Sequence, residues 1–88
     1  MEITLQDKQN VKKQFIESIG EEKYNQMIVY LCSKTNEMKQ RLLKLHPTQN
    51  DQTFREAASR LYQKGLEPDD QDRFIKITMF EIALDTIL

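Results

Sequence analysis

Counted from Tyr24, seven positions follow a strict 4,3,4,3,4,3 spacing: Tyr24, Ile28, Leu31, Thr35, Met38, Leu42 and Leu45, apolar except for Thr35. This is the seam of one long helix. At 1.5 Å per residue the seam runs roughly 33 Å, more than a compact domain of this length needs. Its surface must therefore be shared among several shorter helices or with another chain.

Eighty-eight residues make one domain, which buries only about 60 to 65% of the surface its unfolded chain exposes. With 39% hydrophobic and 31% charged residues and only two Gly and two Pro, the composition is that of a helical protein. Turns for several strands would need more Gly, Asn and Pro punctuation. The expected fold is all-α: a small antiparallel four-helix bundle built around one long central helix, forming a single domain over residues 1–88.

The helix boundaries are expected at about 5–19, 21–46, 51–64 and 70–87. Thr4 can accept from the amide three residues on, and Gly20 can take the left-handed conformation that ends helix 1. Glu21 and Glu22 suit the start of helix 2, and Pro47 forces its end. Asn50 or Asp51 caps helix 3, whose stripe is Phe54, Ala57, Ala58, Leu61 and Tyr62; Gly65 followed by Leu66 reads as a Schellman ending. Asp69 is the expected N-cap of helix 4. On a helical wheel only Thr78, Glu81 and Asp85 make a polar stripe there. Ile75, Met79 and Ile82 form one apolar flank, and Ile77, Phe80, Ala83, Leu84, Ile87 and Leu88 a second. A helix apolar on two flanks needs two neighbours.

The constellations that carry chemistry are missing from the sequence. Cys32 and His46 are the only nucleophile and base of their types, and they sit roughly 21 Å apart along one predicted helix. One Cys and one His do not assemble a usual zinc site, and Asp69, Asp70 and Asp72 lack the glycine and terminal glutamate of an EF-hand loop. The two glycines are too far apart to cradle a phosphate. The expectation is no enzyme, no metal and no cofactor. No stretch reaches the length of a membrane span, the first residues have no secretory-signal pattern, and a lone cysteine permits no internal disulfide. Cytoplasmic residence is expected.

What remains is apolar surface in excess. If helices 1 and 3 cover successive halves of helix 2 and helix 4 lies in the groove, then Ile75, Met79 and Ile82, or else Val29, Cys32 and Leu43, stay under-covered. Met27, Met38 and Met79 belong to a residue type that serves as core filler or as adaptable binding surface. The expected function is a small protein–protein interaction module: adaptor, inhibitor, chaperone-like or regulatory. It would act by burying the apolar flank of helix 4 against a partner helix, with Ile75, Met79, Ile82, Val29 and Leu43 as the candidate contact residues, and a homodimer through helix 2 or helix 4 is expected. The acidic segment containing Glu67, Asp69, Asp70 and Asp72 would steer a basic partner surface. The alternative is a small nucleic-acid-binding regulator using Lys34, Arg41, Arg60 and Lys64 on the outer faces of helices 2 and 3, against which stand the formal net charge of −1 and the intervening Glu37 and Glu56.

Overall fold

The computed structural model describes residues 2–88, which form four α-helices: α1 (Leu5–Ile19), α2 (Glu21–Leu45), α3 (Asp51–Lys64) and α4 (Arg73–Ile87). There is no strand among the described residues. α2 spans about 37 Å at the helical rise, in a body measuring 41 × 29 × 21 Å.

Local chemistry accounts for the first three helices. The Thr4 hydroxyl accepts from the Asp7 amide at 3.1 Å while the Asp7 carboxylate accepts from the Thr4 amide at 2.9 Å, so two otherwise orphaned donors are satisfied reciprocally. Gly20 closes α1 and opens α2 by itself. Its φ of 92° lies where a side chain is strained, its amide donates to Ile16, and its carbonyl accepts from Tyr24. Asn50 caps α3, its side-chain oxygen accepting from the Thr53 amide at 2.8 Å.

Two boundaries differ from expectation. Gly65 is right-handed, at φ −76°, so the Schellman ending is not formed. α3 ends instead in a tightened turn, with the Gly65 amide donating to Tyr62 and the Leu66 amide to Gln63. The Arg73 guanidinium donates to the carbonyls of Gln63 and Leu66 at 3.1 and 3.3 Å. α4 begins at Arg73 rather than near residue 70, and Asp69 is not its cap. The Asp70 carboxylate accepts from the Asp72 amide at 2.8 Å and from Lys76 at 2.5 Å, a local turn that competes with helix and delays its start.

The interior is organised on α4, which packs on α1, α2 and α3, rather than on the longer α2. Its two apolar flanks each have a cluster. On one side Phe80 and Leu84 meet Phe54 and Ala58 of α3, with Met38, Leu42 and Tyr62 packed around them. Tyr62 and Phe80 stack at 4.3 Å between ring centroids. On the other side Met79 meets Val11 of α1 and Tyr24 of α2, flanked by Phe15, Ile16, Ile28, Leu31, Ile75 and Ile82. The seam of α2 is used as far as Leu42, and Leu45 is exposed.

Thr78, one of the three residues on the polar stripe of α4, is fully buried, as is Thr35 of the α2 seam. Each hydroxyl donates to the carbonyl four residues back, Phe74 and Leu31 respectively, and so each threonine enters the core without an unmet donor. Leu61, placed on the apolar stripe of α3, lies 55% exposed near the end of its helix. Leu84 is completely buried, so Leu84→Ala is expected to cost about 2–5 kcal/mol, whereas Leu61→Ala should cost no more than about 0.5 kcal/mol. Urea unfolding of both variants followed by circular dichroism measures the contrast.

Candidate functional site

Covering both flanks of α4 within the chain changes where apolar surface remains. Met79, expected to be free, is only 4% exposed, and Ile75 and Ile82 are half-buried against α1 and α2. Val29 is exposed on α2, while Leu43 is half-buried. Of the five candidate contact residues named from the sequence, Val29 alone is exposed.

A groove of about 760 Å³ lies among α1, α2 and α4 instead. Met79 and Leu31 form part of its floor and Ile75 part of the α4 wall. Phe15 and Ile19 enter from α1, Tyr62 from α3, and Met27 and Tyr30 from α2. Met27 is 37% exposed and Tyr30 62%, so the α2 wall is apolar surface open to water. The polar lining is Lys23, Gln26, Asp72 and Lys76. This combination of an apolar interior with a few polar groups is the usual make-up of a binding cleft.

The α2 wall has a sequence signature that the heptad reading passed over. Lys23, Met27, Tyr30 and Lys34 repeat the 4,3,4 spacing of Tyr24, Ile28, Leu31 and Thr35, displaced by one residue. They form the adjoining stripe, tipped about 100° away from the core. The Lys34 ammonium stands over the Tyr30 ring, 5.7 Å from its centroid. Val29 faces a second, shallower hollow on the outer side of α2, with Glu21, Glu22, Asn25, Gln26, Tyr30 and Ser33.

A separate cluster of charged side chains joins three helices at the other flank. Arg55 of α3 spans Glu81 and Asp85 of α4, at 2.7 Å to each, and Lys8 of α1 reaches Asp85 at 2.6 Å. The Ser59 hydroxyl donates to the second oxygen of Glu81 at 2.7 Å. Glu81 is thus paired with a basic residue of a neighbouring helix. Partial burial pushes the Asp85 carboxyl up, and Lys8 and Arg55 outweigh it, so the group titrates below its ordinary value. The cluster orients α1 and α3 on α4.

Among the acidic residues of the α3–α4 connection, Asp70 is taken up internally by Lys76 and the Asp72 amide, while Glu67, Asp69 and Asp72 are exposed. Lys34, Arg41, Arg60 and Lys64 are all exposed. Lys34 has Glu37 at 4.0 Å, and the other three belong to no ion pair among the described residues. Cys32 and His46 stay apart. The thiol lies 3.8 Å from the carbonyl of Ala83, and His46 is exposed at the end of α2. Among the described residues no three His, Cys, Asp or Glu side chains converge on a common point that could hold a metal ion, and no helix is long and apolar enough to cross a membrane.

No protein-family profile matches the chain, and no curated protein or solved structure is detectably similar to it.

Because the folded pKa of Asp85 is depressed, the folded state binds fewer protons there than the unfolded one. Its stabilising contribution is present above the ordinary carboxylate value of about 4 and is lost as pH falls through the lower folded value. Thermal melts across acid pH should show stability declining below about pH 4, with a shallower decline in Asp85→Asn, whose stability at neutral pH is already reduced.

Proposed function

We propose that this chain is a small protein–protein interaction module, an adaptor or regulator that receives another protein in the groove among α1, α2 and α4. The observation behind the reading is the position of Met27 and Tyr30. Both are large side chains on an apolar-lined cleft, beside a core that already contains every fully buried residue of α4. Aromatic and methionine side chains at a cleft with a polar rim are the usual composition of an interface centre. The reading keeps Ile75 as a contact residue and moves Met79 to the floor. A second copy of the chain is one partner of the right kind. A cytoplasmic setting accords with a single cysteine and no disulfide partner for it.

The alternative, a nucleic-acid-binding regulator, draws support from Arg41, Arg60 and Lys64 being exposed and outside every ion pair among the described residues. Retention on DNA or RNA that falls steeply with salt and weakens in Arg41→Glu would favour it.

Met27→Glu is expected to lower partner capture or self-association at least tenfold, since a charge is placed where apolar surface must be desolvated, while leaving the melting temperature within a few degrees. Affinity capture with wild type and variant as baits, together with sedimentation of each, measures this. Capture and assembly unchanged in both Met27→Glu and Ile75→Glu would overturn the groove as the contact site.

A further inference from the structure

We draw no further inference here: the strongest candidate, the apolar groove among α1, α2 and α4 bordered by Met27, Tyr30 and Ile75, belongs to the site already described, and with Lys76 paired to Asp70 and Lys23 balanced by Asp72 nothing in the structure shows what covers it.

Discussion

α4 presents apolar side chains around most of its circumference, with Phe80 and Leu84 on one flank and Ile75, Met79 and Ile82 on the other. Such a helix is stable in water only if it is enclosed from more than one direction. In this chain the enclosure is supplied by α3 and the later part of α2 on one flank, and by α1 and the earlier part of α2 on the other. Each of those helices is amphipathic, although α2 also exposes Met27, Val29 and Tyr30 away from the core. The fold is one greasy helix and three covers.

The polar groups that α4 takes inward are all satisfied, and this is what makes the enclosure tolerable. Thr78 donates to its own helix, while Glu81 is clasped by Arg55 and Ser59 of α3. Partly buried ion networks of this kind contribute little net stability compared with apolar packing, but breaking one leaves an uncompensated charge. Their effect here is orientation. With Arg55 bridging Glu81 and Asp85, and Lys8 on the far oxygen of Asp85, α1 and α3 are tied to the same turn of α4 from opposite sides.

With most of α4 enclosed, much of the exposed apolar surface that borders the groove comes from a helix beside it. Met27 and Tyr30 sit one residue off the α2 seam, too far round to reach the core and close enough to border it. The stripe was present in the sequence as Lys23, Met27, Tyr30 and Lys34, but two lysines at its ends give it the look of a solvated face. Only the absence of a helix over Ile75 and Phe15 turns the same residues into the wall of a cleft.

Helix number, type and most boundaries followed from the sequence because they depend on neighbours along the chain: the Thr4–Asp7 capping box, the positive φ required at Gly20, the Asn50 cap and the 4,3 repeat of α2 are interactions over three or four residues. That α4 is apolar on two flanks was equally legible. Which helix would stand at the centre, which threonine would be buried and where apolar surface would remain were decided by tertiary packing. Those outcomes turn on contacts such as Arg55 with Glu81 and Arg73 with the end of α3, between side chains far apart in sequence. A helical wheel records the direction in which a side chain points, but the company it keeps there is fixed only when the helices meet.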